Sequence, residues 1–161
     1  MAVNLSVKVR GVENVGDALR KLSGALRAEY MALLAKTATG IEADAKETLE
    51  PKTYTGQARA MTTSAPVKDG LTWIVRSSAK HARRVEEGTK PGTNPNVEAL
   101  ERWGWKKLKQ RGLGWLIARK IRKQGIEPYP FFRPAIKRAA GPYRTAVRDI
   151  LKRAAKAWGK R

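Results

Sequence analysis

Cysteine is absent from the 161 residues. That excludes a disulfide framework and any thiolate metal site, and it fits a reducing compartment. Histidine occurs once, as His81. A lone imidazole without cysteine cannot complete a metal centre, so His81 reads as a helix-surface or interface residue. No apolar run approaches the ~18 residues of a membrane span. The start, Met1-Ala2-Val3-Asn4-Leu5, lacks the charged-then-apolar layout of a signal peptide. Neither a P-loop nor a dinucleotide-binding loop is present, and Gly112-Leu113-Gly114 is too short to serve as one. No Ser/His/Asp arrangement follows from spacing. Glu86 and Glu87 are adjacent, so on a helix they point about 100° apart rather than forming a catalytic pair. The expectation is a protein with no enzymatic role, no cofactor, no small-molecule substrate and no membrane association.

Acid is scarce in one place. The formal net charge is +20. Residues 1–50 balance at zero and residues 51–101 reach +3, while residues 102–161 hold nineteen Lys or Arg against two acids, or +17. Such a density opposes compaction unless something acidic meets it. Nucleic acid, an acidic protein surface and an anionic membrane face all have the required chemistry.

Phenylalanine occurs twice, side by side, in Pro128-Tyr129-Pro130-Phe131-Phe132-Arg133-Pro134-Ala135. Each proline fixes its own φ and disfavours helix at the residue before it, here Glu127, Tyr129 and Arg133. A stiff, extended strap is predicted, with Pro134 at the first position of the last helix. The strap delivers Phe131 and Phe132 as anchors.

Periodicity supplies the remaining elements. Val3, Leu5, Val7 and Val9 alternate with polar residues, as in a half-buried strand. From about Asn14 to Glu50 a stripe of Tyr30, Leu33, Thr37, Ile41, Ala45 and Leu49 predicts a helix. A break near Gly24 is expected, and Pro51 stops the run. Asp69-Gly70 between Met61–Val67 and Leu71–Ser77 predicts a hairpin. In it Met61, Thr63, Ala65 and Val67 share one face of the first arm. Trp73 and Val75 share one face of the second. A short helix over Ala79–Glu87 should end at Gly88. Two basic helices follow at Val97–Gln110 and Leu113–Gln124. The last helix carries Ile136, Tyr143, Val147, Ile150 and Ala154 on its apolar side, with a kink or restart at Gly141-Pro142. The fold class is α+β: a small antiparallel sheet of the N-terminal strand and the hairpin, packed by a long N-terminal and a C-terminal helix. Residues 1–161 read as one domain, with 96–125 a basic helical insertion.

Two basic sets are candidate contacts for nucleic acid or an acidic partner. Lys106, Lys107, Lys109, Arg119 and Lys120 lie among Trp103, Trp105 and Trp115. Basic residues with interleaved aromatics can bind single strands by stacking and phosphate contact. For the tryptophans themselves the favoured reading is core or subunit-interface anchors, with the cations on the wet side. Arg144, Arg148, Lys152 and Lys156 recur every four residues, a spacing at which like charges repel in an isolated helix.

The order of landmarks resembles the neck, or head–tail joining and tail-completion, proteins of long-tailed double-stranded DNA bacteriophages. Those landmarks are a long helix ending at Pro51; Thr55-Gly56-Gln57-Ala58-Arg59 opening a hairpin; Ala82-Arg83-Arg84-Val85-Glu86-Glu87-Gly88-Thr89; an insertion containing Ile117-Ala118-Arg119-Lys120-Ile121; and Pro130-Phe131-Phe132-Arg133-Pro134-Ala135. His81 stands where the family more often has tyrosine. The resemblance implies a structural virion protein, assembled in the host bacterial cytoplasm as a homo-oligomeric ring. Its neighbours would be head-closure, tail-terminator or tail-tube proteins, and the genome would pass its basic face. Phe131, Phe132, Pro134, Glu86, Gly88 and Thr89 are the expected assembly or anchor residues.

Overall fold

A computed structural model describes residues 5–10, 24–50, 56–67 and 70–158. The strand's first residues, the helical pattern before Gly24, the loop at 51–55 and the turn residues 68–69 lie outside the described residues. The fold is α+β. In chain order the elements are β1 (Leu5–Arg10), α1 (Gly24–Leu49), α2 (Gln57–Ala60), β2 (Thr62–Pro66), β3 (Thr72–Ser77), α3 (Ala82–Glu87), α4 (Val97–Leu108), α5 (Leu113–Gln124) and α6 (Phe132–Trp158).

The sheet is antiparallel, in the order β1-β3-β2. Its central strand pairs Val75 with Val7 on one side and with Ser64 on the other. On β2 the buried side is Thr62 and Ser64, while Met61, Thr63 and Ala65 are exposed. The apolar-looking face of this arm therefore turns outward, because hydroxyls on the inner face find partners. Thr62 Oγ1 donates to Ala58 O at 2.7 Å. Glu42 of α1 accepts from both the Ser64 N–H (2.6 Å) and the Ser64 hydroxyl (2.5 Å). A carboxylate thus occupies a donor of an edge strand that would otherwise stay unpaired.

Burial pushes the Glu42 carboxyl up, but Lys46 and the two Ser64 donors outweigh it and hold it below the ordinary value. The unfolded chain therefore takes up this proton first as pH falls. Glu42 stabilises fully above the usual carboxylate range, and its contribution fades as pH drops through the folded value. Glu42→Gln is expected to lower stability near neutrality by about 1–2 kcal/mol and to flatten the loss on acidification. Denaturant unfolding at a series of pH values reads both effects; a variant as acid-sensitive as the parent would contradict this role.

Along α1 the buried positions are Tyr30, Leu34, Ala38, Ile41, Ala45 and Leu49. Leu34 and Ala38 replace the expected Leu33 and Thr37 at the centre of the stripe. Thr37 instead turns its hydroxyl to Leu33 O at 2.8 Å. Helix α6 packs antiparallel on α1. Arg153 meets Glu29 at 2.5 Å, Tyr143 meets Tyr30 at 3.1 Å, and Arg138 meets Asp44 at 3.0 Å. Two core clusters result, one around Phe131 and Phe132 beneath the sheet, the other around Tyr30, Leu34, Ile150 and Ala154. Trp73 touches both.

Two expectations for α6 are corrected. The helix is continuous through Pro142 instead of restarting there. The carbonyl that loses its donor belongs to Arg138, and Arg138 and Pro142 are both exposed, so water can satisfy it. The helix also begins two residues before Pro134, so Arg133 is helical despite the following proline. Pro134 still sits in the first turn, where an N–H has no intrahelical partner.

Candidate functional site

The strap closes on a buried carboxylate. Glu86, at the end of α3, is 2% exposed. Its Oε2 accepts the N–H of Phe131 and of Phe132, each at 2.8 Å, and its Oε1 accepts the N–H of Arg133 at 3.0 Å. These are orphan donors at the start of α6, where a negative charge is also favoured by the helix dipole. Gly88 ends α3 at φ 71°. A Cβ there would fall 2.8 Å from Pro128 N, so glycine alone lets the strap lie this close. Thr89 then bridges to Ile126, with N–H···O distances of 2.9 and 3.0 Å. Tyr129 donates its N–H to Val85 O at 2.8 Å and its hydroxyl to Thr48 O at 3.0 Å.

Glu86, Gly88, Thr89, Phe131, Phe132 and Pro134 are therefore brought together, with Glu86, Phe131 and Phe132 buried and Gly88, Thr89 and Pro134 half-buried. Phe131 and Phe132 are 0% and 1% exposed. Their rings meet edge to face at 5.5 Å. Of the two expected roles, assembly or anchor, burial favours the anchor for Phe131, Phe132 and Glu86, which tie α6 to its own core. Outside them lies an open groove of about 1070 Å³, with Ile126 and prolines Pro128, Pro130 and Pro134 along one side and Lys90, Arg133 and Lys137 among its lining. Thr89 Oγ1 is buried beside it without a hydrogen-bond partner.

The second surface is the pair α4–α5, whose helices pack on each other. Asn96 caps α4 by accepting the Ala99 N–H at 3.0 Å. Glu101 caps α5 from across the pair, taking the N–H of Gly114 at 2.7 Å and of Gly112 at 2.5 Å. Those backbone donors hold its carboxyl below the ordinary value. Gly114 is required for the approach: a Cβ there would sit 2.7 Å from Val97 O and 2.9 Å from the Glu101 backbone N. The pair is joined to the strap region by the Thr89–Ile126 bridge, by Gly92 N–H to Arg122 O at 2.8 Å, and by Arg122 to Asn94 at 2.6 Å.

Close packing of Gly104, Gly114 and Ala118 between the helices leaves the large side chains outside. Trp105, Leu108, Trp115 and Leu116 are 46%, 50%, 59% and 52% exposed. Arg111 lies over the Trp105 ring at 4.8 Å and Arg119 over the Trp115 ring at 5.5 Å. Of the sequence-predicted contacts, Lys106, Lys107, Lys109, Arg119 and Lys120 are all exposed on this pair. Trp103 is half-buried, whereas Trp105 and Trp115 are not core anchors of the chain. The other set, Arg144, Arg148, Lys152 and Lys156, is exposed along α6.

Sequence reading missed the capping role of Glu101, which no spacing rule announces. It also missed the exposed Leu108 and Leu116. Arg119, one turn after Trp115, was a readable cation–π signal. Burial lowers the pKa of His81, which is half-buried at the start of α3. Among the described residues no group of three or more His, Cys, Asp or Glu is placed to hold a metal ion. No helix among them is long and apolar enough to cross a membrane.

No family model matches the chain, and no curated protein or solved structure matches it.

Proposed function

We propose that this chain is a non-enzymatic assembly subunit: a structural virion protein of the phage neck. In this reading it oligomerises as a ring and joins or completes the tail at the head–tail interface. The observation that carries the reading is the uncovered apolar surface of α4–α5. Two tryptophans and two leucines stand about half exposed on a helix pair that the described residues leave open. Clustered apolar exposure of this kind marks docking surfaces, and tryptophan and arginine are the residues that most often carry binding energy there. The order of sequence landmarks supplies the neck context. Head-closure, tail-terminator and tail-tube proteins are the partners to offer.

Mass photometry and negative-stain microscopy of the chain, alone at high concentration and mixed with those partners, test it. The chain should form defined oligomers or a complex. Trp115→Ser/Leu116→Ser should abolish association, by at least tenfold in apparent affinity, with an unchanged unfolding curve; two lost hot-spot contacts at about 2 kcal/mol each make that a minimum. A strict monomer that ignores every partner would sink the proposal.

The arginine-stacked tryptophans favour one rival, a nucleic-acid-binding module that uses α4–α5 as a stacking platform. Single-strand titration separates the two readings. Stacking would quench tryptophan fluorescence and persist at moderate salt, whereas a protein-docking face would give no quenching.

A further inference from the structure

The cations of α6 divide into two sets. Arg138 and Arg153 reach to α1, where Asp44 and Glu29 take them. Arg144, Arg148, Lys152 and Lys156 are exposed and have no acidic partner among the described residues. Four residues apart, they run for about 18 Å along the helix. Lys137, two turns earlier, falls on the same side and is also exposed. Small residues Gly141, Thr145 and Ala155 stand between them.

This face differs in kind from α4–α5. None of the exposed large apolar side chains among the described residues lies on α6. Protein interfaces need a desolvated, partly apolar centre, and the described side chains of this face offer none. Single-strand binding needs aromatic platforms, and no exposed aromatic is among the side chains described on α6. Surfaces that meet duplex phosphates are polar, positive and wet. Like charges spaced i, i+4 repel, so an anion along the stripe also relieves α6 itself.

We propose that the Arg144–Lys156 stripe is a track for the phosphate backbone of duplex nucleic acid, engaged without base readout, while α4–α5 serves protein docking. The proposal deepens the assembly reading and rests on it for where the duplex is met. Its test reads DNA contact whether or not copies associate, so the two can fail separately.

Fluorescence anisotropy of the full chain with labelled duplexes of two unrelated sequences, across a salt series, is the experiment. Both sequences should bind alike. Arg144→Gln/Arg148→Gln/Lys152→Gln/Lys156→Gln should reduce the slope of log K against log salt by about 3–4, from ~0.9 per phosphate contact, and weaken low-salt binding at least tenfold. Glutamine keeps helix propensity close to that of the residues replaced, and circular dichroism checks the fold. Arg148→Gln alone should remove about one unit of slope if the fourfold variant misfolds. Lys106→Gln/Lys107→Gln/Lys109→Gln/Lys120→Gln removes the same charge from α4–α5 and should change the slope by less than half as much. An unchanged slope in the stripe variant, or a larger loss in the α4–α5 variant, overturns the proposal. So does tighter binding of single strands, or competition by polyglutamate as effective as by duplex, which would assign the stripe to an acidic protein.

Discussion

Phe132→Ala is expected to destabilise the fold by about 3–5 kcal/mol, and Phe131→Ala by a similar amount. Both rings are fully buried and contact each other edge to face, at 78° between planes. The shell around them is made largely of alanines: Ala38, Ala45, Ala79, Ala82 and Ala135. Alanine has no rotamer with which to fill a hole, so a cavity left by either ring stays open and the loss falls at the high end. Combining the two substitutions should show a coupling of about 0.5–1.5 kcal/mol for the lost ring pair. Denaturant unfolding followed by circular dichroism measures all three variants. A near-neutral result for either ring would place it outside the core and restore the intersubunit role that its burial argues against.

The second large effect is expected at Glu86. Glu86→Ala leaves the N–H groups of Phe131 and Phe132 buried without an acceptor, and that of Arg133 partly so. At about 1–3 kcal/mol for each unsatisfied buried donor, the loss is about 2–6 kcal/mol. Arg133 lies 3.9 Å from the same carboxylate but is 73% exposed, so its screened attraction adds little. Glu86→Gln keeps one oxygen and replaces the other with a donor, and should fall between alanine and the parent. The result specific to this role is local. Amide hydrogen exchange at residues 131–133 should accelerate in Glu86→Ala more than at the centre of α1. Uniform acceleration would mean that Glu86 contributes only to global stability.

Much of the architecture was legible in the sequence because it rests on periodicity and punctuation. The alternation through Leu5–Arg10, the Gly70 turn and the three-and-four steps of α1 and α6 each name an element, and each formed. The helices of the basic insertion ended within two residues of expectation. What failed did so where tertiary partners decide. Thr62 and Ser64 are inside β2 because Ala58 and Glu42 accept their hydrogen bonds, and hydropathy cannot see an acceptor twenty-two residues or even four residues away. Arg133 entered the helix because Glu86 was waiting for its N–H.

The candidate surfaces were half legible. The cations were visible as charge and proved exposed. Which tryptophans are uncovered depends on Gly104 and Gly114 drawing α4 and α5 together, a close approach that spacing does not encode. Likewise Glu86 and the phenylalanines were conspicuous as a group, but only burial shows that they face inward. The anchor and the proposed docking surface are therefore separate: the strap fixes α6 to the core, and exposed apolar and basic side chains lie on α4–α5 and basic ones along α6.

An image of the assembled particle in which this chain is located tests the account most directly. The account predicts copies ringed at the head–tail junction, with residues 97–124 against a neighbouring subunit and the Arg144–Lys156 stripe toward the genome. A particle lacking the chain, or one in which residues 97–124 face open solvent in every copy, would contradict it.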